Sequence, residues 1–506
     1  MQAATDNHPD PDSCYRALLA RDARFDGLFF TGVKTTGIYC RPVCAVRAPR
    51  RSSCVFFSSA AAAEAAGFRP CLRCRPELAP YALQQNLAFA VWQRIAAGAL
   101  NEADGDDAGA GGPLERLASE IGLSSRQVRR VLLAHFGVTP VELAQTQRLL
   151  FAKKLLQETA LPMPDVAYAA GFRSVRRFNA LFASRYRMAP GVLRRTGGDD
   201  AAGGALTIRL AYRPPYAWTQ IMRYLATRAI PGVEAVEEHG GELRYVRSVR
   251  LGGVEGWLRV SHLPGRSQVS LEASGSLAPL LMPLAARVRS QFDLDANPAA
   301  IEAHLGRDEL LAAAIGRAPG LRVPGAFEPF ELAVRAVLGQ QISVAGATTL
   351  AGRLAARFGR PAETPSARAM LHFPAPEDMA ALPVETLAQI GLPRARAAAL
   401  VALARFAADG GLRFAPGAGL EETVARLKTV PGIGEWTAQY IALRALRFPD
   451  AFPAGDLGLQ KAASGTPGGR LDERGLQARA ANWAPWRAYA AVLLWHGPAN
   501  TTEEQT

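Results

Sequence analysis

The sequence predicts a multidomain chain, mainly α with α+β parts. Three observations predict it. At 506 residues the chain is too long for one ordinary core. Two Gly/Ala/Asp-rich stretches, NEADGDDAGAGGP at 101–113 and TGGDDAAGGA at 196–205, lack apolar periodicity and read as flexible linkers. Alternating apolar runs at 206–275 give way to helical Ala/Leu/Arg spacing from about 276 onward. The cuts leave a cysteine-rich N-terminal unit, a middle unit of about 80 residues, and a larger C-terminal half that divides again.

The formal net charge of +13 narrows the partners. A merely solvated surface needs no such excess, and a polyanion such as DNA or RNA explains it. The opening MQAATDNHPDPDSCY has no apolar signal region, and runs such as YAAVLLW fall short of a membrane span. The expectation is a cytoplasmic chain with no membrane partner. In a reducing compartment its six cysteines do not make a disulfide framework.

Four of those cysteines stand at ligand spacing. Cys40 and Cys44 are separated by three residues, Cys71 and Cys74 by two, with 26 between the pairs. Two close pairs in a loop-rich segment suit a tetrahedral zinc with four thiolates. Spacing alone favours a closed, structural site, since most all-cysteine zinc sites are of that kind. Cys14 and Cys54 have no partner at such spacing and read as ordinary thiols.

Context shifts that reading. DGLFFTGVKTTGIYCRPVCAVRAP, continued by AAGFRPCLRCRPE, resembles the N-terminal domain of the Ada family of alkylation-response proteins over residues 12–78. The resemblance implies a small four-cysteine zinc α/β domain, placed at 12–82. Cys40 would be both ligand and nucleophile, taking a methyl group irreversibly from a DNA methylphosphotriester. Zinc keeps such a sulfur as thiolate at neutral pH, so no separate base is needed. Four thiolates on Zn²⁺ carry −2, and methylation leaves −1, which weakens repulsion from phosphates and strengthens DNA binding. Thr36, Arg41 and Arg47 are the candidate phosphate contacts, solvated arginines being the plainer reading.

The middle unit holds a near-repeat. LASEIGLSSRQVRRVLLAHFGVTP is followed by VAYAAGFRSVRRFNALFASRYRMAP, each reading as helix, glycine turn, serine cap, second helix. Phe178 and Phe182, four apart, are expected to face the core. Arg126, Arg129 and Arg130, and in the second copy Arg173, Arg176 and Arg177, load each second helix with charge. A bundle with basic solvent faces is the bland alternative. Two copies joined by VELAQTQRLLFAKKLLQET resemble the AraC-type DNA-binding domain, which implies a tandem helix-turn-helix α domain at 83–195. Each second helix would enter the major groove.

The C-terminal half opens with ALTIRLAY, LRYVRSVRL, WLRVSHL and SQVSLEA, the alternating runs of an antiparallel sheet. Farther on, LKTVPGIGEWTAQY places Gly432 and Gly434 in a tight turn between helices, where backbone amides can approach a phosphate. Such a turn also occurs in non-catalytic DNA-binding proteins. Asp456 in FPAGDLGLQK lies twenty residues after Trp436. With RPPYAWTQIMRYLATRAIPGVE, FELAVRAVLGQQISVAGA and WAPWRAYAAVLLW, these blocks resemble the AlkA family, DNA-3-methyladenine glycosylase II, over 206–500.

That resemblance implies an antiparallel-sheet α+β subdomain at 206–295 and an all-α helix-hairpin-helix glycosylase domain at 296–500. Asp456 would be catalytic. Breaking an N-glycosidic bond builds positive charge on the sugar, and a carboxylate beside C1′ stabilises it. Trp436 stands where strand-cleaving members carry a lysine, so the expected activity is monofunctional. Trp436 and Tyr440 share a helix face, and Trp495 is the third candidate wall of a base pocket. Core packing is the alternative for any one of these rings. Two departures stand out. Gly455 occupies a position where AlkA proteins can carry a second acid. Gln341 occupies the position of an apolar wedge, with Ile342 beside it. A PCHR-type cysteine site is absent, so O6-alkylguanine reversal is not expected.

The combined expectation is a methyl-accepting regulator and a DNA glycosylase on one chain. Double-stranded DNA, alkylated DNA, a promoter operator and RNA polymerase are the implied partners, and the chain is read as a monomer. The competing reading is a transcription regulator whose glycosylase-like half only grips DNA.

Overall fold

The structure, a computed structural model, describes residues 10–79, 87–101, 112–194, 204–412, 419–466 and 468–497. The expected linkers at 101–113 and 196–205 fall almost wholly outside the described residues, as do the expected boundaries at 82, 83, 195 and 500. No helix among the described residues is long and apolar enough to cross a membrane.

The N-terminal unit is a four-stranded sheet in the order β3-β1-β2-β4, formed by β1 (Phe30–Val33), β2 (Ile38–Cys40), β3 (Cys54–Phe57) and β4 (Arg69–Pro70). Strands β2 and β4 pair in parallel, with Tyr39 opposite Pro70. That pairing places Cys40, the last residue of β2, next to Cys71, the first beyond β4. Cys14 and Cys54 are buried with Phe29 and Phe56 in a small core of their own, and burial pushes the Cys14 thiol up to about 12.

The middle unit has the expected double helix-turn-helix. The first pairs Pro113–Glu120 with Ser125–Phe136, the second Met163–Ala169 with Val175–Tyr186. Ser124 and Ser174 cap the second helix of each pair, and the turns pass through Gly122 and Gly171 at positive φ. Phe178 and Phe182 are fully buried, 5.5 Å apart edge to face. The joining helix Pro140–Glu158 is far less solvated than its AKK sequence implies. Lys153 donates to the Cys71 carbonyl (3.1 Å) and to Glu77 (2.7 Å). Lys154 contacts the Arg209 carbonyl and pairs with Glu158.

The five-stranded sheet is wholly antiparallel, in the order β5-β9-β8-β7-β6. Its strands are β5 (Leu206–Ala211), β6 (Glu234–His239), β7 (Glu242–Leu251), β8 (Val254–Leu263) and β9 (Gln268–Ala273). Strand β6, EAVEEH, is missing from the alternating runs read in the sequence. It is an edge strand, and its charges guard an exposed ladder at the expense of alternation. One core runs from the second helix-turn-helix through this sheet into the C-terminal helices. Arg213, fully buried, ties the N-terminal unit to the C-terminal half: its Nε donates to the Asp26 carbonyl (2.9 Å) and its Nη1 to the Asp295 carbonyl (2.6 Å).

Candidate active sites

In the N-terminal unit the four sulfurs of Cys40, Cys44, Cys71 and Cys74 lie within 4.8 Å of one another. A zinc ion with sulfurs at about 2.3 Å sets tetrahedral edges of about 3.8 Å, so this donor set fits the ion without rearrangement. The Arg41 amide donates to Cys74 Sγ (3.4 Å). Cys40 stands opposite Thr31 in the β1–β2 ladder. It also lines a hollow that opens beside Cys44.

Arg41 corrects an expectation. It is not offered to a phosphate. Its guanidinium is turned inward on the Asp26 carboxylate and donates to the Cys74 carbonyl (3.1 Å), with 11% of the side chain exposed. Asp26, fifteen residues back, is a partner that only the fold supplies. Thr36 and Arg47 are exposed near the cluster, and the Thr36 hydroxyl donates to the Val33 carbonyl (3.3 Å). In the middle unit Arg126, Arg130, Arg173 and Arg176 are exposed, while Arg129 and Arg177 are half-buried.

The second site is built on the hairpin. Helices Leu420–Leu427 and Glu435–Arg444 meet at the PGIG turn. Gly432 sits at φ +85, and a Cβ there would lie 2.5 Å from the Ala399 Cβ. At Gly434 a Cβ would meet nothing within 4 Å, so that face is open. Along helix Glu435–Arg444 the residues Trp436, Tyr440 and Arg444 share one face. The rings of Trp436 and Tyr440 stack at 5.3 Å and 12°, and Trp495 tilts against Tyr440 at 6.0 Å.

Asp456 meets this ring set. Trp436 Nε1 donates to its Oδ2 (3.0 Å) and Trp495 Nε1 to its Oδ1 (3.2 Å). The Leu459 amide also donates to Oδ1 (2.9 Å), because Asp456 caps helix Leu457–Ala462. The preceding loop is braced by Gln439, which accepts the Phe452 amide (3.1 Å). Three donors therefore hold one carboxylate in orientation at the end of an aromatic wall. Gly455 leaves space before it: a Cβ there would stand 3.7 Å from the Glu473 carboxylate, in ordinary contact. The loop Gln340–Ile342 lies nearby, with Gln340 donating to the Gly432 carbonyl (2.9 Å). Gln341 projects from it at φ +59, exposed beside exposed Ile342.

Two residues of this site escaped sequence reasoning. Arg444, buried, donates to the hydroxyls of Tyr224 (2.7 Å) and Tyr440 (2.8 Å). Burial would raise Tyr440, but the Arg444, Arg228 and Arg335 charges outweigh it and hold the phenol below its ordinary range. Burial pushes Tyr224 up to about 12. The i, i+4, i+8 spacing from Trp436 could have found Arg444; nothing local points to Tyr224.

A "Probable bifunctional transcriptional activator/DNA repair enzyme AlkA" of Mycobacterium tuberculosis is 40% identical over 498 residues, 96% of each chain. The chain belongs to that bifunctional family. Within it, the metal binding domain of Ada matches residues 13–77 and a helix-turn-helix domain matches 117–196. The AlkA N-terminal domain matches 207–328, and the HhH-GPD superfamily of base excision DNA repair proteins matches 334–487. The Ada domain match and the four-sulfur cluster together support a zinc ion. The DNA-3-methyladenine glycosylase 2 of Escherichia coli is 35% identical over 289 residues, 57% of this chain and 96% of that one. A solved 3-methyladenine DNA-glycosylase from Archaeoglobus fulgidus shares the fold, at TM-score 0.50 and 23% identity over 57% of this chain and 96% of the other.

Proposed function

We propose that the C-terminal half hydrolyses the N-glycosidic bond of alkylated purines such as 3-methyladenine. The N-terminal half takes a methyl from DNA methylphosphotriesters onto Cys40 and then activates transcription. The observation that carries the repair assignment is the Asp456 carboxylate, held by two indole N–H groups and one amide at the foot of the aromatic set. A flipped base stacks against the aromatic set of Trp436, Tyr440 and Trp495, which attracts a base made cationic by alkylation. As the glycosidic bond stretches, Asp456 stabilises the positive charge building at C1′, and water completes the hydrolysis. With Trp436 in the lysine position there is no amine for a strand-cleaving step.

In the sensor, Cys40, Cys44, Cys71 and Cys74 hold the zinc ion, which when bound keeps their sulfurs as thiolates at neutral pH. Cys40 attacks the methyl carbon. The phosphate oxygen leaves with the bonding pair, and a neutral thioether replaces a thiolate. The lost negative charge strengthens the grip on DNA. Thr36 and Arg47 contact phosphates near this centre, and the two arginine-bearing helices contact the operator. The Gly432 and Gly434 turn grips a phosphate near the lesion, and Gln341 fills the gap left by the flipped base. We assign the four units to 12–82, 83–195, 206–295 and 296–500, with RNA polymerase as the partner at the promoter and a monomeric chain.

Asp456→Asn tests the repair assignment. Release of 3-methyladenine from alkylated duplex is expected to fall by at least about a hundredfold, with binding to abasic-site DNA retained. Unchanged release would leave the alternative, a half that only grips DNA.

A further inference from the structure

The hollow beside Cys40 has a volume of about 280 Å³; Leu18, Val33, Val46 and Pro49 supply apolar wall, and Arg21 also lines it. Its lining includes one buried hydroxyl, that of Thr31. Thr31 is 0% exposed, and its Oγ1 has no hydrogen-bond partner among the described residues. Buried hydroxyls are rarely left so, because water has been removed without a replacement. Thr31 stands directly opposite Cys40 in the antiparallel β1–β2 ladder. Opposed residues leave the sheet on the same face, with Cβ atoms about 5 Å apart. The hydroxyl and the reactive sulfur therefore address the same space, and the hydroxyl bonds to none of the four sulfurs.

We propose that the Thr31 hydroxyl donates a hydrogen bond to a non-bridging oxygen of the phosphotriester whose methyl Cys40 accepts, and that the hollow admits that methylated phosphate. The proposal rests on Cys40 as the acceptor. In the transfer a sulfur lone pair forms the S–CH₃ bond. The C–O bond breaks with its electron pair on oxygen, and a phosphodiester anion departs. No proton moves. As the bond breaks, the negative charge spreads over the departing oxygen and the phosphoryl oxygen, so a fixed donor to either is worth more in the transition state than in the ground state. The apolar side chains of Leu18, Val33, Val46 and Pro49 accept an uncharged triester more readily than a fully charged phosphodiester, while Arg21, also in the lining, acts against that preference.

The test uses the full zinc-loaded chain and two variants. Thr31→Val keeps the shape and loses the hydroxyl; Thr31→Ser keeps the hydroxyl. One measurement is the single-turnover rate of methyl gain on Cys40 from a duplex with one methylphosphotriester. The other is affinity for a duplex with one methylphosphonate, a neutral linkage with no transferable methyl, against the unmodified duplex. Thr31→Val is expected to slow transfer about ten- to a hundredfold and lose the preference for methylphosphonate, while Thr31→Ser stays within about threefold of wild type. Zinc content is expected to be equal in all three. Wild-type rate and preference in Thr31→Val overturns the proposal, as does a Thr31→Ser as impaired as Thr31→Val, which assigns Thr31 to packing. If the wild-type chain gains no methyl on Cys40, that earlier reading fails. The methylphosphonate comparison then still decides Thr31: a preference lost in Thr31→Val supports it, and no preference in wild type overturns it.

Discussion

A carboxylate beside a wall of aromatic rings must be aimed, and Asp456 has an indole N–H on each oxygen. Trp495→Phe keeps a ring and removes one donor, so single-turnover excision is expected to slow about tenfold, at a thermal midpoint close to wild type. A rate equal to wild type would show that the indole only packs. Tyr224→Phe removes a hydroxyl bonded to buried Arg444 but keeps the stack on His496 at 5.5 Å. It is expected to destabilise the C-terminal half by about 1 kcal/mol in denaturant unfolding. At this scale the sequence was legible where chemistry is carried by residue type and spacing, as with the four cysteines and Asp456. It was silent where a partner arrives from far along the chain. Arg41, a candidate phosphate contact by sequence, is paired with Asp26 in the fold.

The hairpin shows what a single element can and cannot tolerate. Gly432 has both a positive φ and the Ala399 Cβ in the way, whereas Gly434 has open space. Gly432→Ala is expected to destabilise by about 1–3 kcal/mol. Gly434→Ala is expected to stay within about 0.5 kcal/mol of wild type and, if the proposed phosphate contact is made there, to weaken duplex binding. Titrating both variants with an abasic-site duplex, alongside unfolding, separates the two effects; a Gly434→Ala that binds like wild type removes the phosphate contact. The PGIG turn was readable because glycine's freedom is local. Strand β6 was not, because an edge strand hides its period under charge. In the helix Pro140–Glu158, Lys153 is fully buried on the Cys71 carbonyl, a contact with no local sign in the sequence.

Across the whole molecule, sensor, operator-binding helices and glycosylase are packed into one another, and Arg213 is the clearest joint, linking Asp26 to the Asp295 carbonyl. Arg213→Met is expected to separate the thermal transitions of the two halves in calorimetry while leaving excision of 3-methyladenine within about twofold, since the joint lies outside the base pocket. Transitions that stay together would show that the joint adds nothing to cooperation between the halves. The packing was unreadable in advance, because Arg213 meets partners 187 positions before it and 82 after it. The order of the units was readable, because each carries its own motif. The central claim, a sensor and a repair enzyme on one chain, is tested most directly at the sulfur. Zinc-loaded full-length protein is incubated with duplex carrying methylphosphotriesters, digested and weighed by mass spectrometry. One added methyl on the Cys40 peptide, with none on the peptides of Cys44, Cys71 or Cys74, is the predicted result. No added methyl, or one on a different cysteine, would contradict it.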